Sequence, residues 1–293
     1  MSVEVFRTVD EIREMLARVR RMGATVGLVP TMGALHEGHG QLIDAARQET
    51  DCVVVSIFVN PLQFDRPEDL ERYPRNLDAD KKFCDDRGAD LIFAPAPASM
   101  YAPTHRSFVE VAGVSEGLCG QSRPGHFRGV ATVVLKLFHI TQPDRAYFGE
   151  KDAQQLAVVR RMVRDLNLTV EIMSVRTVRE SDGLALSSRN RHLTTAERKV
   201  APILFQALVV AQKLIAAGAT DPAEVKSVAS TILAQQPSVR VEYLEVVDPD
   251  EMRAVTRIRG PVRVAAAVWL GSTRLIDNVL CEPGTAEGSG LIQ

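Results

Sequence analysis

Short apolar runs alternate with amphipathic stretches through the first half of the chain. Residues 25–30 (TVGLVP) and 52–60 (CVVVSIFVN) are apolar and rich in β-branched side chains, which predicts two buried strands. Between them, residues 39–50 carry Leu42, Ile43, Ala45 and Ala46 at helical spacing. Residues 90–94 (DLIFA) predict a third strand, preceded by a charged helix over 78–87. The rhythm resumes with a buried helix over 129–140, a short strand over 145–148, a helix over 152–166 and a strand over 169–178. Strands separated by helices pair in parallel, because a short hairpin cannot join parallel neighbours. The first half therefore reads as an α/β domain with a doubly wound parallel sheet. After polar residues 179–191 the pattern changes. Thr194 and Glu197 have capping-box spacing ahead of one long apolar helix reaching about residue 217. Asp221, Pro222 and Glu224 have the composition of a second helix start. Residues 239–247 alternate in polarity and 262–270 are nearly all apolar, which predicts strands of a small mixed sheet. The expected division is a first domain over 1–182, a smaller α+β domain over 183–281 and a flexible tail over 282–293.

Composition narrows the function classes. The 293 residues suffice for about two domains. Thirty-five basic and 37 acidic residues leave a net charge of −2, without the basic excess of a nucleic-acid binder. No apolar run approaches the ~18 residues of a membrane span, and the charged N-terminus does not read as a secretory signal. Neither a nucleic-acid nor a membrane partner is expected. Cys52, Cys84, Cys119 and Cys281 lie far apart without a C-x-x-C pair. A zinc site or disulfide framework is therefore not expected, and a reducing cytoplasm fits.

The stretch Pro30-Thr31-Met32-Gly33-Ala34-Leu35-His36-Glu37-Gly38-His39 falls where the first strand meets the first helix. In open parallel sheets this carboxyl edge is where ligands bind. Gly33 and Gly38 let backbone approach a ligand closely, and a helix start offers N–H groups and a positive dipole end to phosphate. His36 and His39 are spaced to share a face of a helical turn. Spacing alone fits a surface pair or half a metal site as well; the position at a βα turn between glycines favours phosphate chemistry. A dinucleotide fingerprint is not supported, since Ile43 stands where its third glycine would fall, and no Walker A loop is present.

The H-x-G-H element at 36–39 resembles that of the nucleotidylyltransferase superfamily, Rossmann-like enzymes that cleave ATP between its α and β phosphates. Further blocks narrow the resemblance: SIFVNPLQF at 56–64, YPR at 73–75, RPGHF at 123–127, FGEKD at 148–152 and LSSRN at 186–190. Together, and in this order, they resemble the pantoate–β-alanine ligase family. The resemblance implies an ATP-dependent ligase that adenylates pantoate, releases pyrophosphate, and passes the acyl group to β-alanine with loss of AMP. The product is pantothenate, a coenzyme A precursor. ATP enters as a substrate with Mg2+ on its phosphates, and a cytoplasmic homodimer is implied.

The same resemblance implies site residues. ATP is expected at Met32, Gly33, Ala34, Leu35, His36, Glu37, Gly38 and His39. Further ATP contacts are expected at Gly149, Glu150, Lys151 and Asp152, at Val178, and at Leu186, Ser187, Ser188 and Arg189. Pantoate and β-alanine are expected near Gln63 and Gln155; Gln154 is set aside because neighbouring helical side chains point ~100° apart. His36, His39 and Lys151 are the expected catalytic residues, with His39 as proton donor. Leu186 stands where methionine is often seen, and the lysines of the related synthetase loop are missing, so Lys151 and Arg189 supply the cations. Asp152 stays open between helix capping and nucleotide contact. Arg123 and His126 divide evenly between substrate and structural roles, whereas His105, His139 and His192 read as structural or surface residues. Asp78 and Asp80 could approach magnesium, but on a helix read as exposed they are assigned no metal. Residues 61–75 and the second domain are expected to shield the adenylate from water. Two rivals stay open. One is a nucleotidylyltransferase that leaves AMP or CMP on a phosphate-bearing acceptor, which leaves the glutamines unexplained. The other is a non-catalytic adenylate sensor, against which the intact H-x-G-H element, Lys151 and the serine pair weigh.

Overall fold

The computed structural model describes residues 3–284, so the tail expected over 282–293 lies outside the described residues from 285 onward. Two compact units divide the chain. One holds the residues up to Val178 together with Leu186–Ser188; the other holds Arg179–Ala185 and the residues from Arg189 onward. The chain thus leaves the first unit slightly before the boundary placed at 182/183 and returns to it briefly.

The first unit is built on six parallel strands: β1 (Glu4–Phe6), β2 (Val26–Thr31), β3 (Cys52–Ile57), β4 (Leu91–Phe93), β5 (Arg145–Gly149) and β6 (Glu171–Val175). Their order across the sheet is β1-β4-β3-β2-β5-β6, so the winding direction reverses between β2 and β5. Leu42, Ile43 and Ala46 of the helix Glu37–Glu49 join Val29, Val53, Val55 and Ile92 in one core cluster. The helix His126–Thr141 is buried along most of its length and packs on β2 and on the helices Val9–Arg21 and Ala153–Asp165. Arg20 of the first helix donates to the carbonyls of Thr141 and Gln142 (2.8 Å to Gln142), satisfying acceptors that a helix C-terminus leaves open. The strand expected over 169–178 is confined to Glu171–Val175, and the one expected to reach residue 60 ends at Ile57. Neither β1 nor the helix after it was anticipated.

The register explains where a ligand can enter. β2 pairs with β3 from Val26↔Cys52 to Thr31↔Ile57, but with β5 only through Gly27↔Arg145 and Leu28↔Ala146. Beyond Leu28 the two strands part, which opens the carboxyl edge at the point of reversal. Thr31 turns its carbonyl to the β3 side, accepting from Phe58 N–H (3.1 Å). Its neighbour Pro30 therefore points its backbone toward the side where pairing with β5 has ended. A proline, lacking the N–H, is tolerated there.

In the second unit β7 (Val239–Val247), β8 (Val262–Leu270) and β9 (Thr273–Cys281) form an antiparallel sheet in that order. The sheet is thus not mixed: Gly271, at φ +55°, turns β8 tightly back into β9. The helices Ile203–Ala216 and Pro222–Leu233 share the core with β8 and β9. The capping box of Thr194 and Glu197 forms, and Asp221 accepts from Ala223 N–H. The long apolar helix, however, is assigned as Thr195–Val200 and Ile203–Ala216, parted at Ala201-Pro202, where proline removes a helical donor. Taken together, Thr195–Ala216 is long and apolar enough to cross a membrane by length and composition, contrary to the expectation from the sequence. Ile203, Leu204, Ala207, Leu208, Ala211 and Ile215 are buried in the core of the unit, which makes this a core helix. Arg179 pairs with the carboxylate of Asp277 (2.6 and 3.0 Å) and stacks on Phe205 (3.7 Å).

Candidate active site

The turn between β2 and its helix is held in an unusual backbone. Thr31 Oγ1 donates to Ser56 O (2.7 Å) and accepts from Gly33 N–H (3.1 Å). Gly33 and Ala34 then adopt φ +81° and +52° in succession. Glycine takes this left-handed conformation freely; alanine resists it by about 1–2 kcal/mol. Asp80 supplies the compensation. Its two carboxylate oxygens accept from Ala34 N–H (3.0 Å) and Leu35 N–H (2.8 Å). Each bond to a charged acceptor contributes about 1.5–3 kcal/mol, enough to outweigh the strain. Asp80 is 4% exposed, so the helix expected to be solvated presents one carboxylate to the interior.

His36 and His39 close the turn by capping the helix Glu37–Glu49 with each other's help. Gly38 N–H donates to His36 Nδ1 (3.1 Å), and His36 N–H donates to His39 Nδ1 (3.3 Å). The ring centroids are 4.2 Å apart. Because each Nδ1 accepts, each neutral ring carries its proton on Nε2. Burial, then the neighbouring His36, drives the His39 pKa down to about 3; Lys151 adds to the effect and Asp152 opposes it. His39 is therefore neutral near pH 7. It can donate a hydrogen bond from Nε2 but holds no extra proton, which changes the expected proton-donor role. The helix start is also less open than expected: the amides of Ala34, Leu35 and Gly38 already have protein acceptors. What the turn presents to a phosphate is the helix's dipole end with the two imidazole rings beside it.

The turn after β5 lies beside that pair. Glu150–Asp152 is a single 3-10 turn leading into the helix Ala153–Asp165, and Lys151 and Asp152 are near enough to His39 to perturb it electrostatically. Asp152 occupies the helix N-cap without making a capping hydrogen bond, so its capping role is not realised. A side chain added at Gly149 would meet nothing within 4 Å, so there is open space at this turn. Gln154 is buried and spent on structure, donating to the carbonyls of Val114 (3.0 Å) and Gly117 (2.7 Å) and accepting from Cys119 N–H (3.0 Å). Its neighbour Gln155 is only half buried.

Gln63 reaches the histidine turn through Met32. Its Nε2 donates to Met32 Sδ (3.1 Å), while Oε1 accepts from Asn60 Nδ2 (3.0 Å). One donor and one acceptor position remain on the amide. Asn60, 1% exposed, is the hub below it, also donating to Gly129 O (3.0 Å) and accepting from the Tyr101 hydroxyl (2.8 Å). Arg123 donates to Gln63 O (3.1 Å) and to Asp65 (3.1 Å), and His126 Nδ1 lies 2.8 Å from the same Gln63 carbonyl. Both residues thus hold the turn. Tyr73 donates to Gly33 O (3.4 Å), tying the 61–75 segment to the same place.

Val178 lies beyond the end of β6, and its carbonyl accepts from Leu186 N–H (2.9 Å), so these two residues are brought together. Leu186, Ser187 and Ser188 cluster with the first unit and Arg189 with the second. Among the described residues, no group of three or more His, Cys, Asp or Glu could hold a metal ion. Sequence reasoning missed the burial of Asp80 against the turn and the hub role of Asn60. The one local signal was Asn60's place at the end of the apolar run 52–60.

A doubly wound parallel sheet with a paired-histidine turn at its reversal point defines a Rossmann-like nucleotide-binding protein of the nucleotidylyltransferase type. The family model for pantoate-beta-alanine ligase matches residues 4–280. A pantothenate synthetase of Moorella thermoacetica is 50% identical over 280 residues, covering 96% of this chain and 99% of the relative. The crystal structure of pantothenate synthetase from Thermus thermophilus superposes with a TM-score of 0.90 at 46% identity, over 94% of this chain and 99% of that one. A pantoate-beta-alanine ligase from Francisella tularensis, crystallised with beta-gamma ATP and beta-alanine, gives a TM-score of 0.79 at 32% identity, over 95% of this chain and 98% of that one. The chain belongs to the pantoate–β-alanine ligase family.

Proposed function

We propose that this protein condenses pantoate with β-alanine at the expense of ATP, through a pantoyl-adenylate. A carboxylate resists attack by an amine because it is negatively charged and has no good leaving group. Transfer of AMP to it removes both obstacles. In the first step a pantoate carboxylate oxygen attacks the α-phosphorus of ATP, and the bond to the bridging oxygen breaks to release pyrophosphate. In the second, the amine of β-alanine attacks the acyl carbon, loses a proton and expels AMP.

The observation that carries the reading is the reciprocal capping of His36 and His39 beside the Glu150–Asp152 turn, at the parting of β2 and β5. It holds two imidazole rings side by side, 4.2 Å apart, at a partly buried turn, where pre-positioned donors aimed at developing phosphoryl charge act with little reorganisation. In this reading Met32, Gly33, Ala34 and Leu35 line the nucleotide, and Glu37 and Gly38 pass beneath it. Lys151 meets its phosphates with Gly149, Glu150 and Asp152 alongside. Val178 and Leu186 border the adenine. Ser187, Ser188 and Arg189 receive the leaving pyrophosphate. Gln63 and Gln155 take pantoate, Gln63 through the donor and acceptor positions that Asn60 and Met32 leave open.

Magnesium would arrive on the ATP phosphates and offset their charge, since the described residues offer no cluster to hold it. A cytoplasmic homodimer is part of the proposal; four buried cysteines outside any disulfide are in keeping with a reducing compartment. The test supplies ATP, magnesium, pantoate and β-alanine and follows AMP and pyrophosphate. Both should form together and require both organic substrates at steady state. AMP release that ignores β-alanine, or none at all, would sink the proposal.

A further inference from the structure

We propose that Asp80 is a positioning residue that sets the nucleotide-binding turn, holding Gly33 and Ala34 in the left-handed backbone on which His36 is mounted. The inference rests on the reading of that turn as the ATP site. Three observations on separate atoms converge. Both carboxylate oxygens are committed to the consecutive amides of Ala34 and Leu35, at 3.0 and 2.8 Å. Ala34 is one of five non-glycine residues with positive φ among the described residues, and it directly follows a glycine at φ +81°. A Cβ on Gly33 would lie 2.7 Å from Asp80 Oδ2 and 3.1 Å from Ile57 Cγ2, so residue 33 must be glycine for the carboxylate to reach the turn.

The same helix grips the far side of the turn. Arg87, at its C-terminal cap, pairs with Asp44 (2.5 Å) and with Glu37, the first residue of the histidine-capped helix. A Cβ at Gly40 would lie 2.8 Å from the guanidinium carbon, so that glycine makes room for the clamp. The helix Leu77–Asp86 thus fixes the turn from both ends, by a carboxylate before His36 and a guanidinium after it. With both oxygens committed to backbone amides, the Asp80 carboxylate works through the turn rather than on a metal.

The test compares ATP KM for D80N, D80E and the double variant D80N/A34G, at saturating pantoate and β-alanine and fixed free magnesium. D80N replaces one acceptor with an N–H facing an N–H, and D80E pushes the carboxylate into the turn. Folded D80N and D80E should each raise ATP KM by about tenfold or more, with a far smaller change in pantoate KM. D80N/A34G should recover part of that loss, because glycine takes the left-handed backbone without Asp80. Should D80N melt below the assay temperature, D80E decides. A folded D80N or D80E protein with wild-type ATP KM overturns the inference. So does a D80N/A34G variant no better than D80N, or a D80N defect cured by excess free magnesium, which would make Asp80 a metal ligand. Wild-type protein that shows no pantoate-dependent exchange between ATP and pyrophosphate would instead sink the reading of the site, whatever Asp80 does.

Discussion

Gly129→Ala probes how Gln63 is held. Gly129 lies in the helix His126–Thr141, pressed against the turn Pro61–Gln63. A Cβ there would sit 2.2 Å from Leu62 O, 2.4 Å from Leu62 C and 2.7 Å from Gln63 N, where ordinary contact begins near 3.4 Å. All three neighbours are backbone atoms, so no side chain can swing aside. The turn must retreat by about 1 Å, and it carries Gln63 with it. Overpacking of this kind costs about 1–3 kcal/mol, while alanine regains ~1 kcal/mol of helix propensity over glycine. Net destabilisation should be small, on the order of 1 kcal/mol, or roughly 2–4 °C in melting temperature. Activity should suffer more, because a 1 Å misplacement of a positioning group can cost ~100-fold. We therefore expect kcat/KM for pantoate to fall about 10- to 100-fold, with ATP KM much less affected. Steady-state kinetics with each substrate varied in turn, beside a thermal melt, measure both. A folded Gly129→Ala protein with wild-type kcat/KM for pantoate would refute the argument that this contact places Gln63.

His39→Ala should lower turnover about 10²–10³-fold, the cost of one donor to developing charge, and stability by only ~1 kcal/mol for one lost hydrogen bond; equal losses in both would argue for a purely structural histidine. With a folded-state pKa of about 3 against an ordinary 6.5, the unfolded chain takes up a proton that the folded chain refuses between those values. Stability should therefore fall as pH drops from 6.5 toward 3, by at most ~1.4 kcal/mol per unit from this group, and His39→Gln should flatten that slope in denaturant titrations; an unchanged slope would show that His39 is not buried neutral. Arg179→Ala strips the partner from Asp277, whose side chain is 2% exposed, and should destabilise the second unit by about 3–5 kcal/mol. Calorimetry would detect it, and adding Asp277→Asn should restore part of the loss.

Much of the first unit was legible because its strands are continuous β-branched runs and its ligand turn is contiguous in sequence. What escaped was set by contacts between distant residues. Asp80 looks like one acid among several on a charged helix; only folding buries it against Ala34 and Leu35. The strand β1 is three residues long and edges the sheet, too short to carry a period. The strand β9 is broken in polarity by Arg274, Asp277 and Asn278, and it forms because those groups meet Glu242, Arg179 and Arg263. The proton state of His39 was out of reach for the same reason, since composition cannot report how dry a turn becomes.

The central claim is that the acid is primed by adenylation, and oxygen labelling tests it most directly. Pantoate bearing ¹⁸O in its carboxylate is turned over with ATP and β-alanine, and the phosphate-containing products are weighed by mass spectrometry. The account predicts one ¹⁸O in AMP and none in pyrophosphate. Unlabelled AMP, with the heavy oxygen in pyrophosphate or orthophosphate, would contradict it.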